Sequence, residues 1–204
     1  LFEFNEWEDV AKKCKDKWNV KVDFFAASLN SIPNIKSNSI DLIVSDAVYE
    51  HCQDMEGVIK ESNRVLKVNG LIYANYGPLY YSAGGDHISG NDDLSNRFNH
   101  IMLKKSEYKK YIKSMKLDNE DIQGGYRYVE LDLFSKLTTQ EYIDIYKNNS
   151  FQIEDLWIEK AREDIKKAIE KYHLWCNCTT DDQRGKLRSY HEGVLTITLR
   201  RETD

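Results

Sequence analysis

IDLIVSDAVYEH (residues 40–51), CQDMEGVIKESNRVLKVNG (residues 52–70) and LIYANYGP (residues 71–78) follow one another without a break. A short apolar run, Ile40–Val44, ends in the small polar pair Ser45-Asp46. Beyond it, Met55, Val58, Ile59, Ser62, Val65 and Leu66 recur at helical spacing, which predicts a helix from about Asp54 to Lys67 with the left-handed pair Asn69-Gly70 as its stop. A second β-like run, Leu71–Asn75, starts at once. Strand, helix and strand in this order form a unit of parallel sheet, in which Ile40–Val44 should be buried on both faces. Such sheets bind ligands at the carboxyl ends of their strands, where Ser45 and Asp46 stand.

The chain has 204 residues, enough for one domain with a real core, and 41% are apolar, which points to a globular protein rather than a disordered one. A formal net charge of −5 argues against a nucleic-acid backbone as partner, since that would favour a basic face. No window approaches the roughly 20 apolar residues of a membrane-spanning helix, and no amino-terminal signal is evident. The four cysteines, Cys14, Cys52, Cys176 and Cys178, form no disulfide framework for a chain of this size, so a reducing cytoplasm is expected.

Working outward, Asn5 is a good N-cap and Trp7, Val10, Ala11 and Cys14 fall on one stripe, predicting a helix over residues 6–17. Val20–Phe25 is rich in β-formers and is predicted as a strand, and Ser28–Ser39 is a loop containing Pro33. The long segment Tyr76–Leu137 carries clustered Gly, Tyr and His and a helix near Ser106–Met115; a connection of this length is usually functional or a subdomain. Thr138 and Glu141 form a capping box, followed by a helix with Tyr142, Ile145 and Tyr146 inward. Phe151–Ile158 is a strand, Lys160–Tyr172 a helix, His173–Ser189 mostly loop, and Tyr190–Arg200 a closing strand. With no repeat or linker in sight, residues 1–204 form a single domain, and residues 76–137 are an insertion.

Residues 64–70, RVLKVNG, resemble the "RvLkpGG" signature of class I S-adenosylmethionine-dependent methyltransferases of type 11. Tyr49-Glu50-His51 resembles their "leH", and Gly77–His87, GPLYYSAGGDH, resembles a stretch that lies over the substrate pocket in one branch of the family. The ending, residues 137–159, resembles the helix and strand that lead to the family's carboxyl terminus. The resemblance implies an α/β fold with a doubly wound, mostly parallel Rossmann-like sheet whose last strand inserts antiparallel. Four strands are counted here, running from the family's third strand to its last pair, with a stub of the second ahead of them and the insertion after the fifth family strand. No glycine-rich loop follows a strand, since Gly84-Gly85 and Gly124-Gly125 are isolated pairs, so the fold is expected to be truncated at its amino-terminal side.

The same resemblance implies site residues. Glu3, at the expected end of the second family strand, would hydrogen-bond the ribose hydroxyls of S-adenosyl-L-methionine, because a carboxylate can accept from both. Ser28, where an acid is usual, and Leu29 would bracket the adenine. Ser45, Asp46 and Ala47 would line the methionine end, with His51 beside them; His51 also reads as a structural tie between helix start and loop. Tyr80 and Tyr81 offer flat faces with hydroxyl handles to a substrate. His87 is the candidate base for a hydroxyl nucleophile, oriented by Asp86, and His100 is a second candidate.

Other constellations carry less. Cys176-x-Cys178 with His173 and His191 has poor spacing for a zinc knuckle, and no metal is expected. Cys52 and His51 are adjacent on one turn and do not face one another. Lys104, Lys105, Lys109 and Lys110 with Tyr108 and Tyr111 form a small basic patch that could touch an acidic substrate or be a solvated helix face. The expected function is methyl transfer from S-adenosyl-L-methionine to a small-molecule or sugar-like acceptor in the cytoplasm, without nucleic acid or membrane as partner. The alternative is a catalytically inactive methyltransferase-like binding subunit.

Overall fold

A computed structural model describes residues 4–115, 126–160, 165–176 and 192–203. Glu3, Gly124-Gly125, Cys178 and His191 lie outside the described residues. Helix α1 spans Phe4–Trp18, strand β1 Ile40–Asp46, helix α2 Met55–Val65 and strand β2 Leu66–Tyr76. Helices α3 (Asn99–Met102) and α4 (Lys105–Ser114) lie in the insertion, and residues 126–130 are also helical. Helix α5 (Thr139–Asn148), strand β3 (Phe151–Lys160), helix α6 (Lys166–Cys176) and strand β4 (Glu192–Arg201) complete the order. No described helix is long and apolar enough to cross a membrane.

The four strands form one sheet in the order β1-β2-β4-β3. β1 and β2 run parallel, with Ile43 opposite Ile72 and Asp46 opposite Asn75. β4 inserts antiparallel between β2 and β3, as expected for the closing strand. Alternation decides what each face carries. Ile72, Ala74 and Tyr76 of β2 and Leu195, Ile197 and Leu199 of β4 are buried in one cluster with Val58 and Ile59 of α2 and Tyr142 and Tyr146 of α5. Burying a side chain such as Ile59 or Leu199 contributes roughly 2 kcal/mol. The tyrosines in this core keep their hydroxyls satisfied: Tyr76 and Tyr146 share a hydrogen bond of 2.6 Å, and Tyr142 donates to the Tyr49 carbonyl. A smaller cluster joins Phe98 of the insertion to Ala168 and Tyr172 of α6, with the Phe98 and Tyr172 rings stacked at 4.4 Å.

Four expectations about this framework change. Ile40–Val44 is not buried on both faces, since Leu42 is 53% and Val44 65% exposed, and Tyr73 beside Val44 is exposed as well. Val20–Phe25 is not a strand. Its β-formers find no ladder: Phe24 stacks on Trp7, and Lys21 pairs locally with Asp23. Asn69-Gly70 does not stop the helix, because α2 already ends at Val65. Asn69 instead takes a positive φ of 65° inside β2, where the pairing slips from Ile40–Leu66 to Leu42–Leu71 and the extra residues bulge out. The Lys160–Tyr172 helix also shifts: Lys160 still belongs to β3, and α6 starts at Lys166.

Two arginines tie the frame together. The Arg201 guanidinium, buried at the end of β4, donates to the Leu66 carbonyl and to Asn38. Arg64, at the end of α2, donates to the carbonyls of Ile32 and Ile35 and to the Ser37 hydroxyl, and it forks onto Glu61, which in turn accepts from the Ile32 amide. The loop before β1 is thus pinned to the helix after it. Arg64→Ala is expected to destabilise the protein, since hydrogen bonds from a charged donor are lost, though solvent screens part of the effect. Chemical denaturation should show that loss, together with faster proteolysis within residues 30–38.

Candidate functional site

The carboxyl end of β1 is held by its neighbours. Asp46 Oδ1 accepts from Asn75 Nδ2 at 2.9 Å, and Asn75 Oδ1 accepts from the Thr196 hydroxyl at 2.9 Å, so one polar chain runs across β1, β2 and β4. Ala47 turns away at a φ of 52°, its amide on the Asn75 carbonyl. The turn sets the 3-10 segment Tyr49–His51, then α2, whose first turn is capped by Asp54 through the Gly57 amide.

Glu50, which the sequence reading passed over within its own motif, is only 1% exposed. Its Oε1 accepts from the Gly77 amide at 3.1 Å, where the chain leaves β2 ahead of a cis peptide at Pro78, while its Oε2 is buried without a partner. Burial pushes this carboxyl up to about 7; the amides of Glu50 and Gly77 pull the other way, and Asp46 adds to the rise. Nothing in Tyr49-Glu50-His51 alone signals that burial, which comes from the chain at Gly77.

His51 donates through Nδ1 to the Leu133 carbonyl, 2.9 Å away, and stacks on Tyr128 with centroids 4.0 Å apart. It thereby ties the start of α2 to the far end of the insertion. The His87 ring lies 4.9 Å from it. His87 has a positive φ of 63° and a buried Nε2 with no partner. Burial, and then His51, draw its pKa down to about 4, so the ring is neutral at pH 7 and its open nitrogen is a weak base.

Asp86 does not orient His87. Neighbouring residues point apart, and Asp86, 1% exposed, accepts from the amides of Ile88 and Ser89, from the Ser89 hydroxyl at 2.7 Å and from the Tyr108 hydroxyl at 2.5 Å. His100 Nδ1 stands 3.6 Å away, and its Nε2 meets the Tyr80 carbonyl at 2.7 Å. Burial alone would raise the Asp86 carboxyl; His100, Tyr108 and Ser89 outweigh it and hold the group below the ordinary carboxylate range. Next to it, a Cβ on Gly85 would stand 2.2 Å from the Leu79 carbonyl oxygen, so only glycine lets the chain pass here.

This network forms one wall of a cavity of about 630 Å³ between the Tyr80–Ser89 loop, α4 and residues 126–136. Of the predicted substrate residues, Tyr80 and Asp86 line it, together with His100; Tyr81 and His87 do not. None of the predicted cofactor residues lines it either. Ser28 hydrogen-bonds Asn30, which donates to the cap residue Asp54, and Leu29 is exposed on the same loop. Ser28 therefore reaches the start of α2 rather than Asp46. The structure brings together two groups: Asp46, Glu50 and His51 at the strand ends, and Tyr80, Asp86 and His100 on the cavity wall, with His87 between them against His51.

Residues 4–74 match the sequence profile of the methyltransferase domain family. No curated protein matches the chain in sequence. Among solved structures, the chain is similar to a geranyl diphosphate C-methyltransferase from Streptomyces coelicolor A3(2), at 10% identity and a TM-score of 0.51 over 97% of this chain and 59% of that one. The chain has the class I methyltransferase fold. It is also similar to the [4+2]-cyclase SpnF, at 12% identity and a TM-score of 0.48 over 96% of this chain and 62% of that one. A third similar structure is the YcgJ protein from Bacillus subtilis, at 13% identity and a TM-score of 0.48 over 99% and 80%. The chain spans about three fifths of the length of the first two proteins.

Proposed function

We propose that this chain is the acceptor-side part of an S-adenosyl-L-methionine-dependent methyltransferase acting on a small-molecule or sugar-like acceptor. The observation that carries the reading is the placement of the cavity. It opens in the insertion that follows β2, with Tyr80 of its wall just past the end of that strand, in a chain with the class I methyltransferase fold. Its size suits a small molecule and is too enclosed for a duplex. A cytoplasmic place is part of the same reading, supported by the free thiols of Cys14 and Cys52.

The residues present suit a ligand with a cationic centre. Asp46 is exposed with one oxygen held by Asn75 and the other open, and Glu50 keeps an unpartnered oxygen buried behind it. Ser45, Asp46, Ala47 and His51 would hold the cofactor at this edge, while Ser28 and Leu29 approach from the loop before β1 and Glu3 would reach the ribose. The cofactor, when bound, supplies a methyl group on a sulfonium. The protein's part is to orient the acceptor and exclude water. Tyr80 and the Asp86 network shape the cavity wall, and His87, neutral, with Nε2 open and set against His51 beside that wall, would take the proton of a hydroxyl acceptor that reached it.

Calorimetric titration with S-adenosyl-L-methionine, on this chain and on the longest natural version, tests the reading. Asp46→Ala should weaken binding about tenfold, the loss of one charge-assisted contact of roughly 1.4 kcal/mol. The parent's affinity in that variant, or binding by neither version, would overturn it.

A further inference from the structure

The cavity's charge is lopsided. α4 presents Lys105, Lys109 and Lys113 to it at four-residue intervals, a single stripe with ammonium groups rising roughly 6 Å per step. None of the three has an ion-pair or hydrogen-bond partner among the described residues. The carboxylates that face the same space are mostly engaged. Asp86 is taken up by Ser89, Tyr108 and His100, and Asp132 is paired with Lys136 at 2.6 Å. Among the described residues that line it, Glu130 alone remains to oppose the three ammonium groups. The lining also has a flat aromatic part: the Tyr80 and Phe134 rings lie 5.2 Å apart, with Lys136 Nζ over Tyr80 at 5.2 Å.

A solvated helix face would not need this arrangement. Solvent-facing lysines gain from acids one turn away, as Lys60 does from Glu56 on α2. On α4 the stripe is left bare on the side that borders a cavity, next to Tyr108 and the buried Ile112. We infer that the cavity binds a small organic anion, its carboxylate or phosphate ester against the Lys105–Lys109–Lys113 stripe and its apolar or aromatic body against Tyr80 and Phe134. This rests on the acceptor reading above and names the acceptor's class.

Binding can be measured without cofactor, by calorimetry and saturation-transfer NMR, with phenyl phosphate, benzoate and the neutral benzyl alcohol as probes. Phenyl phosphate should bind at least tenfold more tightly than benzyl alcohol, with benzoate in between, and salt should weaken both anions because the stripe is open to screening. Converting Lys105, Lys109 and Lys113 together to glutamine should weaken phenyl phosphate at least tenfold and leave benzyl alcohol unchanged. Lys60→Gln should change neither. The three ammonium groups are exposed, so an unchanged melting temperature will certify the fold of the triple variant. Equal affinity for anion and alcohol, an anion affinity that survives the triple substitution, or no binding of either anion would overturn the inference. Anion selectivity in a protein that fails to bind S-adenosyl-L-methionine would overturn the methyl-transfer reading alone.

Discussion

Replacing Asp86 with alanine is expected to destabilise the protein by about 4 kcal/mol, a fall of roughly 10 °C in melting temperature for a chain of this size. The magnitude follows from what the carboxylate holds. It is buried, and it accepts from two amides, the Ser89 hydroxyl and the Tyr108 hydroxyl, with His100 alongside. Removing it orphans those donors inside the protein, and each orphan costs 1–3 kcal/mol by itself. Among the described residues, α4 has one other clasp on the same loop: Tyr111 accepts from the Gly90 amide and donates to Asp92. The amides of residues 86–92 and of α4 should therefore exchange faster than those of β1, β2 and β4, and the phenyl phosphate site should be lost with them. Asp86→Asn keeps the shape but turns one acceptor into a donor against Tyr108 or Ser89, and should cost about half as much. The acid dependence has a fixed sign. The folded pKa lies below the ordinary value of 3.8, so the stabilisation is present above pH 3.8 and disappears as the pH falls through the folded value. An Asp86→Ala protein as stable as the parent would show that the network contributes nothing to the fold.

The framework was readable from the chain because each element announces itself locally. The stripe of Met55, Val58, Ile59, Ser62 and Val65 is all buried in α2, and the Thr138–Glu141 box does cap α5 with both reciprocal bonds. Val20–Phe25 shows the limit. β-formers make a strand only where an edge offers them a ladder, and here Phe24 has Trp7 instead. The site was legible in part. Ser45-Asp46 and Tyr80 stand where the strand ends and the insertion place them, but side-chain direction is a tertiary fact. Asp86 could serve His87 or Tyr108, and nothing in GGDHISG says which. The positive φ of His87 turns the two apart, and the partner that wins, Tyr108, is 22 residues away. Glu50 was hidden for the same reason. An acid in a helix-start motif reads as a surface residue until the chain at Gly77 is seen to close over it.

Glu50 and His87 are expected to oppose one another in the pH dependence of stability, so that each masks the other in the parent protein. Glu50 has a folded pKa of about 7 against an ordinary 4.5. Between these values the folded state binds the proton and the unfolded state does not. The cost of burying the charge is therefore full above pH 7 and gone below pH 4.5, and stability rises by about 3 kcal/mol as the solution is acidified across that window. His87 has a folded pKa of about 4 against an ordinary 6.5. Here the unfolded state binds the proton, and stability falls by a similar amount between pH 6.5 and pH 4. Glu50→Gln keeps an acceptor for the Gly77 amide and removes the titration; it should be more stable than the parent at pH 8, by about 2–3 kcal/mol, and lose that advantage steadily down to pH 4.5. His87→Asn tolerates the left-handed backbone and removes the opposing titration; its stability relative to the parent should increase as the pH is lowered from 6.5 to 4. Urea denaturation at pH 5, 6, 7 and 8 on the parent, both single variants and the double variant separates the terms. The singles should diverge in opposite directions, and the double variant should return to the parent's slope. Parallel profiles for all four proteins would mean that neither group is held in the buried state described, and would remove His87 as a neutral proton acceptor at the edge of the cavity.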